Sequence, residues 1–236
     1  MLTIEHLTKT YGDTKAVDDL SLHIAPGEIY GFIGHNGAGK TTTLKSCAGI
    51  LPFDQGQIRI DGRDIVTDPL ACKQRMAYIP DNPDIYEYMS GIRFLNFIGD
   101  IYRVEPTVRR ERIHTYAEML GIESDLAQPV SAFSHGMKQK LALIGALMDE
   151  PRLLLLDEPF VGLDPKAAFT LKQFMHEMTE TGAAIFFSTH VLEVAEKLCN
   201  KVAIINHGQL VAQGDMDTVK GDDSLEELFM ELVEKE

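Results

Sequence analysis

A glycine-rich segment with one lysine and one threonine has the spacing that phosphate binding requires. Residues 34–41 read GHNGAGKT, which fits the pattern GxxxxGK followed by Ser or Thr in full. Its glycines allow backbone N–H groups to curl around phosphate oxygens, and the N-terminus of a following helix adds its dipole. In that arrangement Lys40 reaches the β- and γ-phosphates and the Thr41 hydroxyl binds Mg²⁺. The alternative is a chance glycine-rich turn, against which the predicted strand before it and helix after it both argue.

Two adjacent carboxylates follow an apolar run at residues 153–156, which reads LLLL. A continuous apolar run of this kind predicts a strand buried on both faces, so Asp157 and Glu158 stand at its end. A phosphate-loop ATPase needs an acid at such a position to hold Mg²⁺, and Asp157 fits that role. Glu158 is placed to polarise the attacking water as general base. For this pair taken alone, the alternative is two acids that only solvate a strand end.

These groups need strands and helices to hold them, and the apolar periodicity predicts both. The predicted strands cover residues 4–7, 17–24, 28–33, 57–60, 76–79, 153–156, 184–188, 202–205 and 210–211. The predicted helices cover residues 41–50, 90–102, 108–120, 135–148, 165–181, 191–198 and 224–233. We expect the last helix to pack on the body or on a partner. Because residues from about 84 to 148 are mostly helical in character, we expect a helical lobe inserted in an α/β body.

The composition excludes several classes of protein. The chain has 236 residues, 44% of them hydrophobic, and a formal net charge of −14. This acidic balance argues against non-specific nucleic-acid binding and against direct docking on anionic lipid. The three cysteines, Cys47, Cys72 and Cys199, are widely spaced and predict thiols in a reducing compartment. No apolar run approaches the roughly 20 residues of a membrane-spanning helix and no signal peptide is seen, so we expect a cytoplasmic chain.

Three further segments occur in a fixed order around the two acids. Residues 133–137 read FSHGM, residues 161–164 read VGLD and residues 188–190 read STH. They resemble, in turn, the LSGGQ signature, the D-loop and the switch histidine of ABC transporter ATP-binding subunits. The order of all the motifs and nearly the whole length of the chain are similar to that family. The resemblance implies the fold class α/β: a P-loop NTPase core with a mixed sheet, an antiparallel β subdomain and an inserted helical subdomain, in one domain of residues 1–236.

The resemblance also implies a head-to-tail dimer that holds two ATP molecules at its interface. Ser134 and the Gly136 N–H would bind, at a helix N-terminus, the γ-phosphate of the ATP held by the other chain. Asp164 would link the two sites across the interface. His190 would contact the γ-phosphate and position the water. The alternative is that His190 only caps a helix and has its hydrogen bonds satisfied there.

The remaining nucleotide contacts follow from the same resemblance. Tyr11 matches the aromatic residue that stacks on adenine, with Val17 beside it. The alternative for Tyr11 is a turn aromatic packed on the core. The phosphate loop would contribute Asn36, Gly37, Ala38, Gly39, Lys40, Thr41 and Thr42.

Three positions depart from the family pattern. The signature has His135 and Met137 where glycine and glutamine are usual, whereas Ser134 and Gly136 are kept. Asp81 stands where the family normally has a glutamine that senses Mg²⁺ and the attacking water. We expect the Asp81 carboxylate to bind Mg²⁺ while it adds negative charge near the γ-phosphate.

The function that the resemblance implies is an ATP motor that uses ATP and Mg²⁺ and releases ADP. A homodimer, or a heterodimer with a second ATPase subunit, would lie on the inner face of the membrane. It would drive a separate integral membrane permease through a groove around residues 81–88, with no nucleic-acid partner. Residues 81–86, 134–140 and 226–229 are similar to a bacterial export-type subgroup that includes Ecs-like ATPases. The alternatives are a soluble ABC-type ATPase that acts on nucleic acid and a nucleotide-gated scaffold with little turnover.

Overall fold

The computed structural model describes residues 1–83 and 85–233. The chain divides into two compact units. Of the described residues, the first unit comprises 1–78, 152–158 and 176–233, and the second comprises 79–83, 85–151 and 159–175. The predicted boundaries of the helical lobe, about 84–148 within one domain, stay a prediction, and Asp84 itself lies outside the described residues.

Ten strands and nine α-helices are formed by the described residues. The strands are β1 (Leu2–Tyr11), β2 (Thr14–Ile24), β3 (Ile29–Ile33), β4 (Gln55–Ile60), β5 (Arg63–Asp64), β6 (Met76–Ile79), β7 (Leu153–Asp157), β8 (Ala184–Thr189), β9 (Lys201–Asn206) and β10 (Gln209–Asp215). The helices are α1 (Lys40–Cys47), α2 (Pro69–Lys73), α3 (Gly91–Ile101), α4 (Pro106–Leu120), α5 (His135–Leu147), α6 (Pro165–Glu180), α7 (Leu192–Leu198), α8 (Met216–Lys220) and α9 (Leu225–Val233).

The strands form two sheets, which confirms the predicted fold class. A six-stranded sheet has the order β10-β9-β3-β8-β7-β6, and a four-stranded sheet has the order β2-β1-β4-β5. In the larger sheet β9, β3, β8 and β7 pair in parallel, whereas β10 is antiparallel to β9, so the sheet is mixed. The smaller sheet is antiparallel throughout.

The parallel strands at the centre of the large sheet explain where functional side chains gather. Every residue of β3, β7 and β8 is buried, as the continuous apolar runs in their sequences require. Because these three strands are parallel, their carboxyl ends meet at one edge of the sheet. The phosphate loop follows β3, Asp157 and Glu158 lie at the end of β7, and His190 directly follows β8.

The second unit contains the helices that the sequence predicted between residues 90 and 148. Helix α4 begins after Glu105, whose carboxylate accepts hydrogen bonds from the Thr107 and Val108 N–H groups at 2.8 and 3.1 Å. It ends at Gly121, which adopts a left-handed φ of 68°. Helix α5 begins after Ser134, whose hydroxyl accepts the Met137 N–H at 3.3 Å.

Several boundaries differ from the prediction. Strands β1 and β2 are longer than predicted, because register shifts within their ladder interrupt the alternation of apolar residues. Helix α1 ends at Cys47, not at Ile50. The sequence missed β5, α2 and α8, which have two, five and five residues and are too short to show a period.

No helix within residues 1–83 and 85–233 combines the length and the apolar character that crossing a bilayer requires.

Candidate functional site

The phosphate loop joins β3 to α1 and closes around the amine of its own lysine. Lys40 Nζ donates hydrogen bonds to the carbonyl oxygens of Gly34 at 2.6 Å and of His35 at 3.1 Å. Gly39, directly before α1, has a φ of 110°, and a Cβ at this position would overlap the Ala16 carbonyl oxygen. Only glycine satisfies both conditions without strain, so this part of the motif is fixed by backbone geometry.

Lys40 is buried and lies beside the acids at the end of β7. Its side chain is 6% exposed, and its Nζ lies 3.7 Å from Glu158 Oε1. Burial lowers the pKa of the Lys40 ammonium, whereas the nearby carboxylates of Glu158 and Asp157 raise it. The loop therefore holds its cation between backbone carbonyls and a carboxylate, next to the N-terminus of α1.

Asp157 is held by two hydroxyl groups. The Thr41 hydroxyl donates to Asp157 Oδ2 at 2.7 Å, and the Ser188 hydroxyl donates to Asp157 Oδ1 at 2.5 Å. Ser188 reaches this carboxylate because it pairs with Asp157 across the β7–β8 ladder. The sequence placed Ser188 at a strand end and missed this role, since the ladder register is not visible in a single segment.

The oxygen atoms of Thr41 and Asp157 fit a magnesium ion. Mg²⁺ prefers oxygen ligands and is usually bound by one or two carboxylates together with substrate phosphates. The described residues contain no cluster of three or more His, Cys, Asp or Glu side chains that could hold a metal by themselves. Two protein oxygens beside a phosphate loop therefore suit an ion that arrives with a phosphorylated ligand.

Glu158 and His190 form a pair at the same edge of the sheet. His190 Nδ1 lies 3.0 Å from Glu158 Oε2, and the His190 N–H donates to the same oxygen at 3.4 Å. The Glu158 N–H donates to the hydroxyl and the carbonyl of Ser188 at 3.1 and 3.2 Å. These bonds hold Glu158 at a φ of 49°, which is uncommon for a residue with a side chain.

The pair has the environment that a general base needs. The Glu158 side chain is 12% exposed, whereas that of His190 is 52% exposed. A carboxylate that is shielded from water, with a histidine on one oxygen and a lysine near the other, is oriented for proton transfer. The predicted catalytic residues Lys40, Glu158 and His190 are thus brought together by the fold of the first unit.

The predicted nucleotide contacts outside this network have different exposures. Tyr11 is 51% exposed, and the Lys9 ammonium lies 5.5 Å from the centroid of its ring. Val17 has no exposed surface and belongs to the core, and the predicted adenine contacts of Tyr11 and Val17 stay predictions. In the phosphate loop, Asn36, Gly37 and Thr41 are exposed, Thr42 is half-buried, and Ala38, Gly39 and Lys40 are buried.

The signature segment lies in the second unit and packs on the segment that resembles the D-loop. A Cβ on Gly136 would overlap the Gly162 carbonyl oxygen. A Cβ on Gly162 would in turn meet the ring of His135. His135, which departs from the family pattern, therefore lies against Gly162. Glycine at position 136 is required for this close approach.

Asp164 is held within the second unit. Lys140 Nζ donates to its Oδ2 at 2.8 Å, and the Ala167 N–H of α6 donates to its Oδ1 at 2.9 Å. The Lys140 hydrogen bond is the main reason that the pKa of Asp164 is lowered to about 2. Its predicted link across a dimer stays a prediction. So does the metal contact of Asp81, an exposed residue of the second unit.

Comparisons with known proteins find relatives that are similar over nearly the whole chain. A family model described as "ABC transporter" matches residues 17–161. The ABC-type transporter ATP-binding protein EcsA of Bacillus subtilis (strain 168) is 31% identical over 100% of this chain and 98% of its own length.

Solved structures are similar over the same length. A structure described as the ATP-binding subunit of an ABC transporter has a TM-score of 0.93 at 33% identity and covers 98% of this chain and 99% of its own. The structure of cbiO1 from Clostridium perfringens, described as part of the ABC transporter complex cbiONQ, has a TM-score of 0.79 at 27% identity, with 94% and 90% covered.

Proposed function

The chain belongs to the ABC transporter family as an ATP-binding subunit with ATPase activity, and from this premise we propose that it drives a separate membrane permease by ATP-dependent dimer closure. The observation that carries this proposal is the network of Lys40, Asp157, Glu158 and His190 with Thr41 and Ser188, assembled at the carboxyl ends of three neighbouring parallel strands.

In the binding step, the phosphate loop receives the phosphates of ATP. The N–H groups at the start of α1 point toward this loop and favour negative charge. Lys40 supplies a cation, Thr41 and Asp157 supply oxygen ligands for Mg²⁺, and Tyr11 stacks on the adenine. The bound Mg²⁺ would neutralise the charge that develops between the β- and γ-phosphates.

In the hydrolysis step, Glu158 accepts the proton of the attacking water. Its carboxylate is oriented by His190, and its backbone is fixed by two hydrogen bonds to Ser188. A positioned general base typically contributes about 10²- to 10⁴-fold to the rate. Lys40 stabilises the negative charge that accumulates on the transferred phosphoryl group.

Two copies, or one copy with a second ATPase subunit, form the closed state. The N-terminus of α5 supports this proposal, because Ser134 and Gly136 present a hydroxyl and an N–H at a helix N-terminus, where anions bind favourably. Each such terminus would meet the γ-phosphate held by the other chain. Asp164, at the start of α6 in the same unit, would lie at that interface.

The proposal also includes a membrane partner and a direction of transport. Tyr86 and Tyr88 are 60% and 102% exposed, and exposed tyrosines are enriched at protein interfaces. They support a contact between the segment 81–88 and a cytoplasmic helix of the permease, which would hold the chain on the inner face of the membrane. The similarity to an export-type subgroup supports export.

Nucleotide binding and hydrolysis by purified variants test the first half of the proposal. We expect Lys40→Ala to abolish ATP binding and Glu158→Gln to keep binding but lose hydrolysis. Lys45→Ala, on the same helix α1, is a matched control that should behave as the wild type. A wild type that binds ATP without turnover, with and without its partner, would favour the nucleotide-gated scaffold. Stimulation of turnover by nucleic acid would favour the other alternative.

A further inference from the structure

The C-terminal helix α9 contacts the phosphate loop through a pair of rings. The imidazole of His35 and the phenyl ring of Phe229 have centroids 4.9 Å apart and an interplanar angle of 67°, an edge-to-face arrangement. Phe229 is 6% exposed, whereas His35 is an exposed residue of the loop. Such ring pairs stabilise a contact beyond the burial of their surface, so the pair ties the loop to the helix.

His35 is one of the two loop residues whose carbonyl oxygens hold the Lys40 ammonium, together with Gly34. The His35 carbonyl oxygen accepts the Lys40 ammonium and the Ala38 N–H, both at 3.1 Å. A displacement of the His35 backbone would therefore move an acceptor of Lys40 and the turn that leads into α1. Packing against the ring of His35 consequently acts on the part of the loop that faces phosphate.

Helix α9 has its own anchors, so it is a fixed point for this contact. Its first turn is capped reciprocally: the Glu227 N–H donates to the Ser224 hydroxyl at 3.2 Å, and the Ser224 N–H donates to Glu227 Oε2 at 2.9 Å. The Leu225 N–H donates to Glu196 Oε2 at 3.2 Å, and Lys220 Nζ lies 2.9 Å from Glu196 Oε1. Glu196 belongs to α7, the helix that follows His190.

We propose that Phe229 is a positioning residue for nucleotide binding, which acts through His35 to hold the phosphate loop in its receptive conformation. A loop that is ordered in advance does not lose that conformational freedom when the ligand binds, so affinity rises. This inference rests on the proposed function, in which the phosphate loop binds ATP. Helix α9 would then act within the first unit, where it contacts both the phosphate loop and α7.

Calorimetric titration of the full chain with ADP and Mg²⁺ tests the inference without turnover. Phe229→Leu keeps apolar volume at the buried position but removes the ring, and we expect about a fivefold loss of ADP affinity. Met230→Leu, at the neighbouring and 45% exposed position, is the matched control and should bind as the wild type. A purely structural role of Phe229 would lower the melting temperature of the variant but leave its affinity for ADP unchanged.

A double-variant cycle identifies the route. If Phe229 acts through His35, then His35→Ala should lose as much affinity as Phe229→Leu, and the double variant should lose little more. His35→Ala changes an exposed side chain and keeps the test decisive if the Phe229 variant does not fold. Unchanged affinity in either folded variant overturns the inference.

Lys40→Ala separates this failure from a failure of the proposed function. If Lys40→Ala abolishes ADP binding while Phe229→Leu binds as the wild type, only the inference about α9 is wrong. If the wild type does not bind ADP, or Lys40→Ala binds it equally well, the proposed nucleotide site is wrong and the inference falls with it.

Discussion

The Ser188 hydroxyl connects the two acids of the candidate site, and its removal is a sharp test of the network. It donates to Asp157 Oδ1 at 2.5 Å and accepts the Glu158 N–H at 3.1 Å, and Ser188 itself is fully buried. Replacement by alanine leaves a buried carboxylate oxygen without this donor and weakens the anchor of the general base. We therefore expect Ser188→Ala to lower both the stability of the fold and the hydrolysis rate.

The magnitude follows from the charge of the partner. A hydrogen bond to a charged group stabilises a protein by about 1.5–3 kcal/mol, so Ser188→Ala should lose about 2 kcal/mol of unfolding free energy. Ser46 provides a matched control, because it is equally buried but donates to a neutral helix carbonyl, that of Thr42, at 2.9 Å. Ser46→Ala should lose less than about 1 kcal/mol, since alanine also has the higher helix propensity.

Urea unfolding followed by far-UV circular dichroism measures both losses, which suits a chain without tryptophan. The rate of ATP hydrolysis is measured on the same preparations, and Ser46→Ala should keep the wild-type rate. If the two serine variants lose equal stability, or if Ser188→Ala hydrolyses ATP as the wild type does, the reasoning about a shared hydroxyl is wrong.

Three further changes test other parts of the account. Gly39→Ala should weaken ADP binding far more than Gly37→Ala. Both glycines have a positive φ, but only a Cβ at residue 39 would overlap a backbone oxygen. Equal losses of ADP affinity in titration would contradict this. Between pH about 4 and 2, the thermal stability of Lys140→Met should fall less than that of the wild type. The Lys140 hydrogen bond is the main reason that the pKa of Asp164 is lowered to about 2, with the Ala167 N–H as a further cause. The ionised carboxylate therefore stabilises the fold above its unfolded pKa, and this contribution is lost as the pH falls through the folded pKa. Parallel pH profiles for wild type and variant would refute that pairing. Asp81→Gln introduces the residue usual in the family and should change the ATPase rate or its coupling to the permease, whereas wild-type values for both would remove Asp81 from the site.

The sequence predicted those parts of the site that contiguous segments encode. The phosphate loop is such a segment, because its glycines, lysine and threonine act at fixed spacing on one turn. The β7 run and its two acids are another, since an apolar run of that length has few alternatives to a buried strand. The long helices of the second unit were equally visible, as each carries several turns of apolar spacing.

The features that the sequence did not reveal depend on pairings between distant segments. Ser188 reaches Asp157 only because β7 and β8 align those two residues. The contact of His135 with Gly162 arises from the packing of two segments, and no single segment carries a signal for it. The sequence also did not reveal the contact of α9 with the phosphate loop through Phe229. The apolar face of that helix predicts packing either on the body or on a partner and does not distinguish the two.

We propose that this ATPase drives a membrane partner, and its recovery from membranes is a direct test. Tagged Glu158→Gln protein is recovered from gently solubilised native membranes in the presence of ATP and Mg²⁺, conditions that should hold the dimer closed. We predict a stoichiometric integral membrane protein in the recovered complex. Recovery of a soluble partner or nucleic acid, with no membrane protein, would leave the ATPase standing and contradict its role in transport.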